Sequence, residues 1–470
     1  MVSTSSTSFL GSYSGITMET IDQLISAESG KLTQYTNKQT TLTNEKNAWK
    51  DINTRLDSLS SKMNTLKEAS SFQSKVITNS NESLVSISGE SGALNSDYTV
   101  SVEQLATSSQ LTSHQIDLNG KKVDEKLGLS GTLSFADADG KEVKVDVTEK
   151  QSLKDIVSAV NQQSKTAESG LKATIIDNRI VVTDEQMGNR TITASGNLAD
   201  QFGLSDAKNL TVGQSAKLTV NGISIERNTN NVTDAVEGLT IKLNKATIGE
   251  TAKINVADDI DKTTKVLQEF VDQYNSVMTY IGETLDVGDP TAENNKTGAL
   301  VGDSAVVRLQ TQLRSLMGSS SSKGSDVKSL KNIGIEIDRY GKASLDTSKL
   351  KKAMAKDPSA IQKFFYQKET VTAEDGTTTE KETGILSGLS TFVNEYINST
   401  TGIIATKSSS IDQSIKDLDK QIEQFNERLE VKRQRYITQF TALDTAMMQA
   451  ESQMQYLSSQ IGSVTGNNAN

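Results

Sequence analysis

Few side chains in this sequence have the types or the spacing for chemistry. The 470 residues contain one histidine, His114, and no cysteine, which excludes histidine-pair metal motifs, thiolate ligands, disulfides and cysteine nucleophiles together. Asp137, Asp139 and Gly140 have the residue types of a calcium loop. The spacing before them and the lack of a bidentate acid at the loop's end favour a hairpin turn instead. Lys432, Arg433 and Arg435 could hold an anion, but on a helix they read as a solvated or ion-paired face. Serines and carboxylates are abundant, yet no nucleophile–base constellation and no phosphate-cradling glycine loop accompanies them. His114 reads as a surface residue and Trp49 as a helix-packing one. The expectation is no catalytic, metal or cofactor site, and a chain that is not an enzyme.

What remains is shape, and composition constrains it. A formal charge of -10 argues against a nucleic-acid footprint, and 34% hydrophobic with 4% aromatic residues is too little for thick cores. Long helices, thin layers and partner-dependent contacts fit such a chain. A length of 470 residues implies several domains. No apolar run is long enough to span a bilayer, and the opening Met-Val-Ser-Thr-Ser-Ser-Thr-Ser-Phe-Leu-Gly lacks the pattern of a secretory signal. The first sixteen residues are expected to be mobile.

The strongest periodic signal lies near the C-terminal end. Ile415, Ile422, Leu429, Tyr436, Leu443, Ala450 and Leu457 recur at heptad spacing, predicting one apolar seam on a single helix over 411–461. A companion stripe runs through Ile411, Leu418 and Phe425, then Phe440, Met447, Met454 and Ile461, crossing the seam near Lys432 and Arg433. A straight helix drifts against a heptad repeat, so the crossover implies either a change of partner along the helix or a face that a straight helix can hold. The expectation is that residues before Lys432 pack within the subunit and that 440–461 serve neighbours or the assembly the chain joins. Near the other end, Tyr35, Leu42, Trp49, Leu56 and Met63 form a matching seam, with Ile52, Leu59 and Leu66 beside it. Each stripe needs a surface: the opposite end of the same chain, or the ends of other copies.

Between the two seams the period changes to two. Tyr98, Val100 and Val102 alternate, and Leu133 and Phe135 face Val143, Val145 and Val147 across Asp139-Gly140. Ser152 and Asp155 form a capping box before Leu153, Ile156, Val157 and Val160. Strands follow at 173–176 and 180–183, and Asn221-Gly222 turns a hairpin between Leu218 with Val220 and Ile223 with Ile225. A short helix is expected at 233–237, ending at Gly238, before Leu239, Ile241 and Leu243. Helices return with Val266, Leu267, Phe270, Val271, Tyr274 and Met278 on one face, and with Val306, Leu309, Leu313 and Leu316 behind an Asp303 or Ser304 cap. A Ser-rich loop at 318–325, a strand and turn at 333–345, a helix capped by Asp357-Pro358 and a solvated loop at 369–383 complete the pattern. Phe364, Phe365 and Tyr366 are read as helical core.

In this order the array resembles the flagellar filament-capping proteins of bacteria, a group of hook-associated proteins. The landmarks are the strand at 98–106, the block at 218–243, the helix start at 302–316, the hairpin at 333–345 and both terminal helices. The expected fold is multidomain α+β: long N- and C-terminal coiled-coil-like helices, a helical leg domain, and an inserted pair of β-rich modules. The borders read as 1–41 with 416–470 for a coiled-coil-like stalk, 42–70 with 266–415 for the leg, 71–111 with 215–265 for an inner β-rich module, and 112–214 for an outer one. The resemblance implies export through the flagellar secretion channel to the extracellular filament tip and a ring of identical subunits. Its implied partners are flagellin, the hook–filament junction protein and an export chaperone before secretion. A surface adhesin binding host mucin or glycan through the outer module, and a related junction protein, are the alternatives. Tyr35, Leu42, Trp49, Leu56, Met63, Ile415, Ile422, Leu429, Tyr436, Phe440, Leu443, Met447, Met454, Leu457 and Ile461 are the expected seam, subunit or filament contacts.

Overall fold

The computed structural model describes residues 10–293, 295–320, 327–372 and 377–466. The chain forms two compact units, one built from its two ends, up to Lys67 and from Thr264 onward, and one from Glu68–Thr263. Parts of two expected segments, residues 1–9 of the Ser/Thr-rich start and 321–325 of the Ser-rich loop, lie outside the described residues.

The first unit opens with α1 (Met18–Glu28) and α2 (Gly30–Lys67). In the second half of α2, Trp49, Ile52, Leu56, Leu59, Met63 and Leu66 are all buried. Their three- and four-residue spacing puts them on one face, and burial of that face rather than intrinsic propensity holds a helix this rich in Thr and Asn.

The β-rich unit runs through β1 (Lys75–Asn79), β2 (Val85–Gly89), β3 (Ser96–Gln104), β4 (Ser108–Thr112), β5 (Gly131–Ala136) and β6 (Glu142–Val147). It continues through α3 (Leu153–Ala167), β7 (Leu171–Ile176), β8 (Arg179–Met187), β9 (Thr193–Ser195), α4 (Asn197–Gln201) and β10 (Leu210–Thr211). It closes with β11 (Ala216–Val220), β12 (Ile223–Arg227), β13 (Asn231–Val236), β14 (Leu239–Leu243) and β15 (Ala252–Asp258). Two separate cores form within it. Val100, Val102, Leu218, Ile241, Ile254 and Val256 belong to one, enclosed by a sheet ordered β1-β15-β3-β11-β12 and a smaller one ordered β13-β14-β2. Leu133, Phe135, Ile156, Val160, Ile180 and Val182 belong to the other, between the sheets β10-β4-β8-β7 and β6-β5-β9 with α3 beside them. Local chemistry sets the turns as anticipated. Asn221 and Gly222 both adopt positive φ, 48° and 82°, which the two-residue hairpin between β11 and β12 requires. Ser152 and Asp155 make the reciprocal capping box at the start of α3.

Asp137 and Asp139 are turn residues of the β5–β6 hairpin. Asp137 Oδ1 accepts from the amides of Asp139 and Lys141 at 3.0 and 2.9 Å, and Asp139 pairs with Arg190 at 2.6 Å. No cluster suited to a metal ion occurs among the described residues. His114 is exposed at the end of this module.

The chain returns to the first unit through α5 (Ile260–Thr284), α6 (Ser304–Met317), the hairpin β16 (Ile335–Ile337) and β17 (Ala343–Leu345), α7 (Thr347–Lys356) and α8 (Pro358–Phe365). The hairpin β18 (Gln367–Thr372) and β19 (Thr378–Thr383), α9 (Ile385–Ile397) and α10 (Ile403–Gly466) complete it. Asp303 caps α6 by accepting from Ala305 N, and Asp357 caps α8 ahead of Pro358. Phe364 and Phe365 are fully buried, and Tyr366 donates to Glu382 at 2.9 Å.

Two local expectations are overturned. Residues 233–236 are strand, part of β13: Val232 and Val236 pair with Ile241 and Leu239 of β14, and the residues between them form a register irregularity. Gly238, at φ 74°, turns a hairpin there rather than ending a helix. The segment expected as a loop at 369–383 is largely a two-stranded hairpin, Gln367 facing Thr383 and Thr372 facing Thr378. Threonines on both arms favour extended backbone although neither arm has an apolar face; residues 373–376 lie outside the described residues.

Candidate functional site

The candidate site is the pairing of the chain's two ends along α10 and the stretch of α10 that outlasts it. α10 is one helix of 64 residues, about 95 Å at 1.5 Å per residue. α2 and then α1 lie against it in antiparallel register. Lys46 bonds Asp412, Gln39 bonds Asp419, Tyr35 meets Phe425 edge-on at 6.3 Å, and Glu28 pairs with Lys432. Moving back from Lys46 to Ser14 moves forward by the same number of residues from Asp412 to Asp444.

The seam residues follow this geometry. Trp49, Leu56 and Met63 are buried and belong to the compact part of the unit, with the Lys407 ammonium 5.8 Å from the Trp49 ring centre. Tyr35, Leu42, Ile415, Ile422, Leu429 and Tyr436 are half-buried, as a two-helix contact without a third layer leaves them. Phe440 is half-buried and stacks on Tyr436 at 5.9 Å. Leu443 is 43% exposed, Met447 41%, Met454 72%, Leu457 56% and Ile461 64%.

Coverage of α10 within the subunit ends further along the helix than expected, at Asp444 rather than at Lys432. Packing within the subunit continues through Lys432: Ile437 and Asp444 are buried, and α1 covers this stretch. The basic residues at the crossover serve that contact. Lys432 bonds Glu28, whose other carboxylate oxygen accepts from the Tyr436 hydroxyl at 3.1 Å, and Arg433 bonds Asp22 at 3.0 Å. A straight helix keeps one face toward its neighbour, so the buried line passes from Ile411 and Leu418 to Ile437, a position the heptad count does not select.

Asp444 ends the internal contact. Its carboxylate accepts the amides of Gly11 and Ser14, the latter at 2.6 Å. Hydrogen bonds from Ser14, then from the amides around Gly11 and Tyr13, hold its acid below the usual range. The Lys432 hydrogen bond does the same to Glu28 and raises Lys432 in return. Both carboxylates are depressed, so their contribution is complete above their ordinary values and disappears as pH falls through the lowered ones. The Lys432 contribution is lost only on the alkaline side, above its ordinary 10.5. The midpoint at which the Gly11 and Ser14 amide resonances move on acidification should therefore lie below the ordinary aspartate value of 3.8. Asp444→Asn should remove that transition, and a midpoint at or above 3.8 in the parent chain would contradict the assignment.

The heptad count finds the apolar members of this site and misses Glu28, Asp22 and Asp444. The available signal was a lone acid at 444 beside a seam position, with capping-type residues Gly11 and Ser14 at the other end of the chain.

No helix among the described residues is long and apolar enough to cross a membrane. Residues 213–452 match the family model for the flagellar hook-associated protein 2 C-terminus, and residues 14–109 match the model for its N-terminus. Flagellar hook-associated protein 2 of Escherichia coli K12 is 30% identical across 97% of this chain and 98% of its own length. The protein of that name from Salmonella typhimurium is 32% identical across 68% of each. Among solved structures, the D1-D2-D3 domains of the flagellar cap protein FliD from Escherichia coli match with a TM-score of 0.62 at 27% identity, covering 78% of this chain and 99% of that one. With both ends of the chain and the β-rich unit accounted for, the chain belongs to the flagellar hook-associated protein 2 family.

Proposed function

We propose that this chain is a structural subunit of the cap at the extracellular tip of the growing bacterial flagellar filament, where it forms a closed ring with its own copies and promotes insertion of exported flagellin. The observation that carries this reading is the apolar stripe of α10 beyond Asp444, exposed along Met447, Met454 and Leu457. In proteins most helical stability comes from packing of an apolar face, and covering each of these partly exposed side chains is worth about 1–2 kcal/mol. Neighbouring cap subunits and filament subunits are the partners that would cover it. Contacts of that size, spread over several turns, hold the cap while letting single subunits exchange as the filament grows.

A cover over the tip keeps arriving flagellin at high local concentration, which requires no bond to be made or broken by the cap. In this reading the stalk is formed by 1–41 with 416–470 and the leg by 42–70 with 266–415. The inner module is 71–111 with 215–265, and the outer one is 112–214. The hook–filament junction protein precedes the cap at the tip, and an export chaperone accompanies the chain before secretion. The adhesin alternative has no support in the family models or relatives matched.

The test is a deletion strain complemented with the full chain, alongside electron microscopy of the purified protein. Restored swimming, little flagellin in the medium and finite rings are expected. Open polymers from the purified chain, or unchanged flagellin leakage on complementation, would overturn the reading.

A further inference from the structure

Charge is unevenly distributed along this acidic chain. Between residues 327 and 365 nine Lys/Arg stand against four Asp/Glu, whereas 283–303 holds five Asp/Glu and one lysine. Both stretches belong to the unit built from the chain's ends. The basic stretch forms a cleft of about 400 Å³ with Ala353 and Ala360 among its lining residues, Lys349, Lys352 and Lys356 around it, and one acid, Asp357, whose side chain accepts from Ala360 N at the start of α8. Lys349 is engaged by Glu336 at 2.9 Å; Lys352 and Lys356 are exposed.

The acidic stretch is a built projection. Asp286 Oδ1 accepts from Gly288 N at 3.0 Å, Asp289 Oδ1 from the amide and hydroxyl of Thr291 at 2.9 and 2.7 Å, and Val287 O from Asn295 at 3.1 Å. Gly288 holds φ 67°, which permits the tight bend. At its tip Val287 is 59% exposed between the two aspartates. The loop is tied back to its own helix end, Leu300 N bonding Thr284 O at 2.9 Å, and does not line the cleft.

We infer that residues 286–289 of one copy seat in the Lys352–Lys356 cleft of the next, with Val287 against Ala353 and Ala360 and the aspartates facing the lysines. One chain carries both halves of a complementary pair, as a head-to-tail contact requires, and such a contact closes into a ring when its rotation closes. The projection is preformed by its own hydrogen bonds, so little ordering is lost on docking. Opposite charges also set the direction of assembly, since cleft-to-cleft and loop-to-loop approaches repel. This inference rests on the ring reading above.

The test uses two full-length variants, Lys352→Glu with Lys356→Glu, and Val287→Lys with Glu293→Lys, which put cations on the projection and leave the Asp286 and Asp289 hydrogen bonds in place, followed by sedimentation velocity across protein and salt concentration. All four positions are exposed, so unfolding midpoints should stay within a few degrees of the parent. Each variant alone should self-associate at least tenfold more weakly. An equimolar mixture should assemble again, because every contact then joins a reversed partner to a reversed partner or a parental one to a parental one. A parent chain that assembles while both variants match it, or a mixture that stays apart, overturns this contact and leaves the ring standing. A parent chain that stays monomeric at every concentration overturns the ring and the contact together.

Discussion

Replacing Met447, Met454 and Leu457 together with serine is expected to abolish filament growth while leaving the isolated chain's unfolding midpoint unchanged. The three side chains are 41, 72 and 56% exposed, and exposed substitutions of this kind usually move stability by less than about 0.5 kcal/mol. In the proposed cap the same side chains are covered, and since each is only partly exposed to begin with, each loses about 1–2 kcal/mol of burial. A combined loss of roughly 3–5 kcal/mol weakens attachment by about a hundredfold or more. Calorimetry of the purified variant gives the first half of the result. Swimming and flagellin in the medium of a complemented deletion strain give the second. Normal swimming by the triple variant would remove the assembly role of this stripe, and a large fall in midpoint would mean that the stripe packs within the subunit after all.

The elements that were legible in the sequence are those whose signal is local. The Asn221-Gly222 turn, the Ser152–Asp155 capping box and the Asp357-Pro358 helix start each satisfy backbone groups within a few residues, and all three are present. The 233–237 segment was misread because Gly238 is equally at home after a helix and in a hairpin, and the pairing with β14 that decides between them is a tertiary fact. The seam on α10 was legible as a helix and a face. Its division was not, because a heptad count treats Lys432 as an interruption of an apolar stripe. The partner that makes Lys432 part of the contact is Glu28, more than 400 positions earlier. The end of the internal contact was illegible for the same reason: Asp444 is buried by a turn at the far end of the chain, and no pattern within α10 announces it.

Trp49→Ala is expected to be the most destabilising single change in the seam, costing about 3–5 kcal/mol. The side chain is 1% exposed on α2, a helix that packs on both α9 and α10, and the Lys407 ammonium lies 5.8 Å from its ring centre. Alanine there leaves a cavity that three packed helices cannot close. Leu42, one heptad earlier, is half-buried in the stretch where α2 faces α10, so Leu42→Ala empties a site open to water and should cost well under half as much. Calorimetry should show the transition of the helical unit lowered by roughly 8–15 °C in Trp49→Ala. The transition of the Glu68–Thr263 unit, which has its own two cores, should stay in place. A fall of less than about 1 kcal/mol would mean that Trp49 is not a keystone of the helical unit. Equal losses at Trp49 and Leu42 would mean that the seam is one uniform coiled coil, without the graded passage from buried core to half-buried pair to exposed stripe that leaves its outer end available to neighbours.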